Sequence, residues 1–196
     1  MIRLALLRHG HTAWNRAGRI QGRSDIPLDV QARVDLSALH LPPDWENAEI
    51  WASPLQRAVE TARLVTGRVP RVSDALTEMN WGDWEGQQGA ALLADKASGY
   101  RHIEDWGWDY RPPNGESPAD IWARLAPWLN ELRTDSIAVC HLGIMRVMMA
   151  RASGWDFRGP APFRIKRNRL FVLSVNEEQT TTDGEVIRLI PESAAS

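Results

Sequence analysis

Two arginines, two histidines and one glutamate are placed along the chain where they could meet around an anion. Arg8 and His9 directly follow a short apolar run, Arg57 lies in the first turn of a predicted helix, Glu78 precedes a tryptophan-rich stretch, and His141 follows a second apolar run. Guanidinium groups pair with two phosphate oxygens at a time, and a neutral imidazole can attack phosphorus. These residue types therefore predict a site that handles a phosphoryl group.

Short apolar runs alternate with amphipathic stretches, and this alternation predicts the elements that carry those residues. We expect strands at residues 2–7, 49–52, 136–140, 170–175 and 186–190. In open α/β sheets the carboxyl ends of neighbouring parallel strands face one crevice, where ligands bind. The sequence therefore predicts one α/β domain with a mainly parallel sheet, and the residues that follow the first three strands should meet at one edge of it.

Two tetrapeptides carry the signals that begin a helix. In Ser53-Pro54-Leu55-Gln56 a serine stands at the N-cap, a proline at the first helical position and a glutamine three residues after the cap. Ser117-Pro118-Ala119-Asp120 repeats the pattern. The first helix should run to about Thr66, with Gly67 ending it, and a further helix is expected over residues 144–151.

The composition excludes several classes of protein. The chain has 196 residues, which suits one domain (1–196), and 43% of them are hydrophobic, enough to bury a core. A net charge of −2 argues against a general nucleic-acid binder or an anionic-membrane binder. The single cysteine, Cys140, excludes an internal disulfide and a cysteine-rich zinc site. Neither a membrane span nor a signal peptide is recognisable, so we expect a cytoplasmic protein.

Tryptophan is unusually frequent, with ten residues against two tyrosines and three phenylalanines. Four of the ten lie in the stretch 79–115, which shows no sustained hydrophobic period. Long irregular segments in compact domains are usually functional or mobile. We predict that this Trp-rich segment forms a cap over the phosphoryl site, with tryptophan faces against the leaving group of the substrate. The alternative is that these side chains only fill a small core under a long loop.

Five segments in this order resemble one known family. They are LLRHGHTAWN (6–15), GRIQG (18–22), SPLQRA (53–58), LTEMNWGDWEG (76–86) and VCHLG (139–143). From Ile2 to about Val175 the chain resembles the histidine phosphatase superfamily, which is also called phosphoglycerate mutase-like. The resemblance implies a three-layer sandwich, in which helices flank a mainly parallel central sheet.

The resemblance also implies a phosphohistidine mechanism that needs no metal and no cofactor. By it, His9 attacks the phosphoryl group of a small phosphomonoester, while Arg8, Arg57 and His141 hold the phosphoryl oxygens. Glu78 protonates the leaving alkoxide and then takes a proton from the water that hydrolyses the phosphoenzyme. The implied substrate-binding groups are Asn15, Gln21, Gly22 and the backbone N–H of Leu142.

Three positions depart from the family pattern. His11 stands where Glu or Gln is common, Leu142 where a Gly is common, and Ala32 where a Gly is often found.

The mutases of the family carry an insertion with a Glu-Arg-His-Tyr signature, which this chain lacks. This absence favours a phosphatase over a phosphoglycerate mutase-type transferase. The segments 78–85 and 113–117 look closest to the α-ribazole phosphatase branch of cobalamin biosynthesis. Oligomeric state stays open, with a homodimer as one option.

Two further alternatives remain. Cys140 and Arg146 have the Cys-five residues-Arg spacing of cysteine-based phosphatases, in which a thiolate of low pKa attacks phosphorus. Against this alternative, Cys140 ends an apolar strand, where an inert buried thiol is expected, and the motif leaves Arg8 and His9 without a role. The other alternative is a protein that binds a phosphorylated ligand without turnover, because a fold does not guarantee activity.

Overall fold

The computed structural model describes residues 1–176 and 179–192, and in this part of the chain seven strands form a central sheet. The sheet has the order β4-β3-β5-β1-β6-β7, with β8 beside β6, while β2 and β9 pair separately. The pairs β3–β4, β3–β5 and β1–β5 are parallel, whereas β6 pairs with β1 in the antiparallel sense. The predicted mainly parallel centre is confirmed. The strands are β1 (Ile2–Arg8), β2 (Leu39–His40), β3 (Glu49–Ala52), β4 (Arg71–Val72), β5 (Ser136–Cys140), β6 (Arg169–Val175), β7 (Thr180–Thr181), β8 (Val186–Arg188) and β9 (Ile190–Pro191).

Helices cover both faces of the sheet. Side chains alternate between the faces of a strand, and those of β1 enter two different apolar clusters. Leu4 and Leu6 pack with α5 and α6, whereas Ala5 and Leu7 pack with α2 and α3. The three-layer sandwich is therefore confirmed. The helices are α1 (Ala13–Arg16), α2 (Val30–Ser37), α3 (Gln56–Thr66), α4 (Gly89–Ala94), α5 (Pro118–Leu129) and α6 (Leu142–Ser153).

The start of α3 differs from the prediction. The helix begins at Gln56, and Ser53 is not its N-cap, because the Ser53 hydroxyl is hydrogen-bonded to Nε2 of His141 at 2.7 Å instead. Asp25, from a distant loop, supplies the missing acceptor, since its Oδ1 accepts from the backbone N–H of Gln56 at 2.9 Å. The predicted end is correct: Gly67 is left-handed, with φ of 66°.

The other two helices follow their predicted signals more closely. Ser117 caps α5 and forms the capping box with Asp120, as predicted. Helix α6 begins at Leu142, directly after His141 and two residues earlier than predicted. The first turn of α6 therefore lies at the end of β5, among the predicted site residues.

The Trp-rich segment has little regular structure beyond α4 and two short 3-10 helices. Its rings pack on one another: Trp81 lies edge-on to Trp106, with ring centroids 5.4 Å apart, and Trp84 lies edge-on to Tyr100 at 5.1 Å. Trp84 and Trp106 are buried, and Trp106 lies in the apolar cluster that includes α5 and α6. Trp81 is only half-buried and, with Met79 and Gly143, lines a crevice beside α6.

None of the helices in the described ranges combines the length and the apolar character needed to cross a bilayer.

Candidate active site

The parallel pairing of β1 with β5 brings the two histidines together. Arg8 is in register with Cys140, and the backbone N–H of His9 donates to the Cys140 carbonyl at 3.0 Å. His9 and His141 therefore leave adjacent strands at the same height, and their ring centroids are 5.1 Å apart. This is the convergence at the carboxyl edge of the sheet that the sequence predicts.

His9 is a neutral imidazole in this arrangement. Burial lowers its pKa well below 6.5, and the positive charges of Arg57, Arg8 and Arg167 lower it further. Its Nδ1 lies 2.6 Å from the carbonyl oxygen of Gly10. Since a carbonyl only accepts, Nδ1 carries the proton, and Nε2 keeps the lone pair that a nucleophile needs.

In His141 the environments of the two ring nitrogens differ from those in His9. The Ser53 hydroxyl accepts from the backbone N–H of Leu55 at 3.3 Å and can donate its own proton to Nε2 of His141 at 2.7 Å. Nδ1 of His141 then carries the hydrogen, and this buried atom has no partner among the described residues. Burial, followed by the proximity of His9 and Arg57, lowers the pKa of His141 well below 6.5. His141 is thus a neutral donor suited to an oxyanion.

Among the predicted site residues, three more buried donors lack a partner within the described ranges: Nε of Arg8, Nε of Arg57 and Nε2 of Gln21. Arg57 is fully buried, and its terminal nitrogens donate to the carbonyls of Ser24 at 2.8 Å and Gly22 at 2.7 Å. Burial lowers the pKa of Arg8 to about 10, which leaves it cationic at neutral pH. Unsatisfied buried donors are rare in proteins, so a group of them is typical of a site that a bound anion completes.

The carboxylate of Glu78 is buried beside this group of donors. Its Oε1 accepts from the backbone N–H of Met79 at 2.8 Å, and its Oε2 accepts from that of Gly143, in the first turn of α6, at 3.2 Å. Burial raises the pKa of Glu78 above 4.5, although these hydrogen bonds and the arginine charges oppose the shift. A carboxyl group with a raised pKa is suited to donate a proton near neutral pH.

The loop that carries Gln21 and Gly22 is held by a second carboxylate. Glu85 accepts from the backbone N–H of Arg23 at 2.7 Å and from the hydroxyl of Ser24 at 2.7 Å. A Cβ on Gly22 would lie 2.1 Å from Oε1 of Glu85, so only glycine fits there. The carbonyl of Gly22, a predicted substrate-binding residue, accepts from Arg57. The lack of a side chain at Gly22 permits the close approach of Glu85.

Asn15 and Leu142, both predicted to bind substrate, each present an N–H donor. Oδ1 of Asn15 accepts from the backbone N–H of Thr12 at 3.2 Å and from Arg167 at 2.9 Å, which leaves its Nδ2 as donor. Leu142 begins α6, and the first N–H groups of a helix have no acceptor within the helix.

Residues 4–186, which contain all of these side chains, match the model of the histidine phosphatase superfamily, branch 1. The chain belongs to the histidine phosphatase superfamily. It is 38% identical over 136 residues to the glucosyl-3-phosphoglycerate phosphatase of Mycobacterium tuberculosis, in an alignment that covers 66% of this chain and 60% of that enzyme. It is 33% identical over 179 residues to the adenosylcobalamin/alpha-ribazole phosphatase of Salmonella typhimurium, with 80% of this chain and 85% of the relative covered.

A solved structure gives the same assignment over the whole length. The mycobacterial glucosyl-3-phosphoglycerate phosphatase in complex with VO3 superposes with a TM-score of 0.76 and 27% identity, and 100% of each chain is covered. The fold is thus that of the histidine phosphatases.

The structure does not favour a cysteine nucleophile in this histidine phosphatase. Cys140 is fully buried in the apolar cluster between the sheet and α6. Burial, followed by the nearby Glu78 charge, raises the pKa of the thiol far above neutral. The thiolate that such a mechanism needs is therefore disfavoured, and Cys140 is the inert buried residue that its strand position predicts.

Sequence reasoning missed the residues that position Glu78. Arg124, from α5, donates to the carbonyls of Ala75 and of Thr77, the latter at 2.7 Å. Glu116 accepts from Arg124 at 3.3 Å, from Arg23 at 2.8 Å and from the backbone N–H of Asn80 at 2.9 Å. Together these residues fix the segment on both sides of Glu78. Glu116 has no local pattern beyond the helix start that follows it, so only the fold shows this contact.

Sequence reasoning also missed Arg167, because only the fold shows its contacts. It lies in the irregular stretch between α6 and β6, yet its Nε donates to the carbonyl of His9 at 3.1 Å. With its bond to Asn15, Arg167 links two residues of the predicted site and adds a positive charge beside His9.

The described residues contain no cluster of three or more His, Cys, Asp or Glu side chains that could hold a metal ion.

Proposed function

We propose that the chain hydrolyses a small phosphomonoester through a phosphohistidine on His9, with no metal taking part. The observation that supports this most is the state of His9: a neutral imidazole with Nδ1 held by Gly10, beside four buried donors that lack partners in the described residues. A nucleophile and a set of oxyanion donors are the two things that phosphoryl transfer to a side chain requires.

In the first step, Nε2 of His9 forms a bond to phosphorus while the bond to the ester oxygen breaks. Arg8, Arg57 and His141 hold the three phosphoryl oxygens as their charge redistributes. The leaving alkoxide takes the proton of Glu78 and departs as an alcohol.

In the second step, water replaces the alcohol. Glu78, now a carboxylate, takes a proton from the water as its oxygen attacks phosphorus, and the bond to Nε2 breaks. Inorganic phosphate leaves, and His9 and the protonated Glu78 are restored. Gln21, Asn15 and the N–H of Leu142 bind the phosphoryl group through both steps, and Gly22 shapes the loop that carries Gln21.

The test is to trap the intermediate. Protein mixed with ³²P-labelled substrate and quenched in base should retain label that is lost in acid, as a phosphoramidate does. His9→Ala should abolish labelling and lower kcat by at least about 10³-fold, whereas Cys140→Ser, the matched control, should keep most of both. Labelling that survives in His9→Ala and disappears in Cys140→Ser would assign the reaction to the cysteine.

The natural substrate is the finer part of the proposal. The relatives' names give glucosyl-3-phosphoglycerate and α-ribazole phosphate as substrates of those proteins. We propose a small phosphorylated metabolite of this kind, to be ranked by kcat/KM on a panel with α-ribazole phosphate, 3-phosphoglycerate, phosphoserine and sugar phosphates. Transfer of the phosphoryl group within 3-phosphoglycerate, without release of phosphate, would indicate a mutase. The absence of turnover on the panel and on p-nitrophenyl phosphate would indicate a binding protein.

A further inference from the structure

Thr61 is a polar side chain on the buried face of α3. It is fully buried, and its neighbours on that face, Ala58, Ala62 and Val65, belong to the apolar core. Valine has nearly the same shape as threonine and would fill this space without a hydroxyl. Because a buried hydroxyl is unfavourable unless it is hydrogen-bonded, the hydrogen bonds of Thr61 indicate what the hydroxyl contributes.

The hydroxyl of Thr61 joins two segments that both carry site residues. It donates to the carbonyl of Arg57, one turn earlier in α3, at 2.6 Å, and it accepts from the backbone N–H of Gly10, in the loop after β1, at 3.0 Å. The single hydroxyl proton and one acceptor position of the oxygen are thus both used. One oxygen atom therefore connects the helix that carries Arg57 to the loop that follows His9.

Gly10 extends this connection to the proposed nucleophile. Its carbonyl oxygen lies 2.6 Å from Nδ1 of His9, the contact that keeps the proton on Nδ1 and the lone pair on Nε2. A Cβ on Gly10 would lie 2.7 Å from Cδ1 of Leu36 and 3.1 Å from Cδ2 of Leu28, so these side chains pack closely against the glycine. The backbone at residue 10 is therefore held by packing against two leucines and by its bond to Thr61.

The N–H of Gly10 depends on Thr61 for its hydrogen bond. Thr61 is the acceptor that the described residues offer to this N–H, and Gly10 is buried. Without the hydroxyl, a buried N–H would lose its acceptor, which is costly enough to favour a shift of the backbone. Such a shift at residue 10 would move the carbonyl that orients His9.

We propose that Thr61 is a positioning residue, whose hydroxyl sets the spacing between His9 and Arg57 and, through Gly10, keeps His9 in the tautomer that can attack phosphorus. This inference rests on the proposed phosphatase function. Groups that act together in catalysis must keep their relative positions to within about 0.5 Å. Thr61 contributes to turnover through Gly10 and Arg57, without contact with the substrate.

The test is Thr61→Val, which removes the hydroxyl and keeps the shape of the side chain. The rate of phosphoenzyme formation, measured by rapid quench with ³²P-labelled substrate, should fall by about 10- to 100-fold, since a displacement of about 1 Å has an effect of this size. The inhibition constant of inorganic phosphate should change by less than about 3-fold, because Arg8, Arg57 and His141 remain as donors. Thr61→Ser, which keeps the hydroxyl, should retain most of the rate.

Thr66 provides a matched control on the same helix. Its hydroxyl donates to the carbonyl of Ala62 at 2.7 Å, the same bond to the preceding turn that Thr61 makes, but it accepts from the backbone N–H of Arg68 at 3.1 Å instead of from the loop after β1. Thr66→Val should therefore lower the rate by less than about 2-fold. Comparable losses in Thr61→Val and Thr66→Val would assign the effect to the helix and overturn the proposed role.

The ring nitrogens of His9 give a readout that a loss of stability alone would not change. In ¹⁵N NMR spectra the native chain should carry the proton on Nδ1 of His9, and Thr61→Val should show a population with the proton on Nε2. An unchanged tautomer and a native labelling rate in Thr61→Val would overturn the inference and leave the phosphatase function standing.

Two further outcomes are informative. A native chain that is not labelled on His9 would overturn both proposals. If Thr61→Val does not fold, Thr61→Ala is compared with Thr61→Ser by the same measurements. The alanine variant should then show the loss of rate and the mixed tautomer, and equal behaviour of the two variants would overturn the positioning role.

Discussion

The backbone N–H of Gly143 lies 3.2 Å from Oε2 of Glu78, so the helix that follows His141 also holds the proposed proton donor. A Cβ on Gly143 would lie 2.4 Å from Oε1 of the same carboxylate. One turn of α6 therefore fixes the spacing between the proposed oxyanion donor, His141, and the proposed acid, Glu78.

Gly143→Ala should lower kcat by about 10- to 100-fold, since moving a reacting group by about 1 Å has an effect of this size. Stability should change little, because the gain of about 0.5–1 kcal/mol from alanine over glycine within a helix offsets the cost of displacing the buried Glu78 carboxylate. Steady-state kinetics and thermal unfolding measure the two effects. Gly89→Ala is the matched control, since it begins α4 and its nearest contact for a Cβ is 3.6 Å away. A fully active Gly143→Ala protein would contradict this account of Glu78.

Glu78→Gln should slow alkyl phosphates by about 10²- to 10⁴-fold and p-nitrophenyl phosphate far less. An alkoxide is strongly basic and needs the proton of Glu78, whereas nitrophenolate leaves without it. The ratio of kcat/KM values on the two substrates gives the result, because kcat also contains the hydrolysis of the phosphoenzyme, in which Glu78 acts on both. Equal losses on both would remove Glu78 from the role of proton donor.

The pH profile of activity should be set by two groups with shifted pKa values, His9 and Glu78. His9 must be neutral to attack, and because its pKa is lowered, activity should persist below pH 6.5. Glu78 must be protonated to donate, and because its pKa is raised above 4.5, kcat on alkyl phosphates should fall as pH rises through that raised value. Glu78→Gln should abolish this fall on the basic side. A basic limb that is unchanged in Glu78→Gln would assign it to another group.

Arg167→Met should lower kcat/KM by about 10-fold or more, because it removes charge-assisted hydrogen bonds to the carbonyl of His9 and to Asn15. Arg167→Lys should recover part of the loss. A positioning role predicts a further effect: without the charge of Arg167, the pKa of His9 should rise, and the acid limb of the pH profile should move toward higher pH. Loss of stability alone would leave that limb where it is.

EDTA should leave activity unchanged, because the arginines supply the positive charge that a metal ion provides in other phosphatases. The measurement is kcat after dialysis against chelator, with and without added Mg²⁺ or Zn²⁺. Inhibition that added metal reverses would falsify the metal-free mechanism.

The sequence predicted those parts of the fold and site whose signals are local. The apolar runs at β3 and β5 match the strands residue for residue, and Gly67 ends its helix as expected. The five predicted catalytic residues are close together at one edge of the sheet. Arg8 ends β1, and His9 and His141 directly follow β1 and β5. Arg57 lies in the first turn of α3, and Glu78 follows a short 3-10 helix that comes after β4.

The parts of the fold and site that the sequence did not predict depend on contacts between distant segments. Ser53 was predicted as a cap from its neighbours, but its hydroxyl bonds to His141, 88 positions away. Arg167 reaches His9 across 158 positions, and Arg124 reaches Thr77 across 47. None of these contacts leaves a periodic or compositional trace in the chain, because a single hydrogen bond constrains one residue and not a pattern.

The pairing of β1 with β5 also determines when reactivity can arise. These strands meet across 132 positions, as shown by Arg3 and Asp135, which are hydrogen-bonded at the start of the pair. Contacts this far apart in sequence form slowly. A nascent chain that has emerged as far as α5 therefore holds His9 without His141 or the turn that seats Glu78, and it has no means of phosphorylating itself. Chemical competence should begin only when β5 is inserted between β3 and β1, because His141 and the first turn of α6 reach the site with that strand.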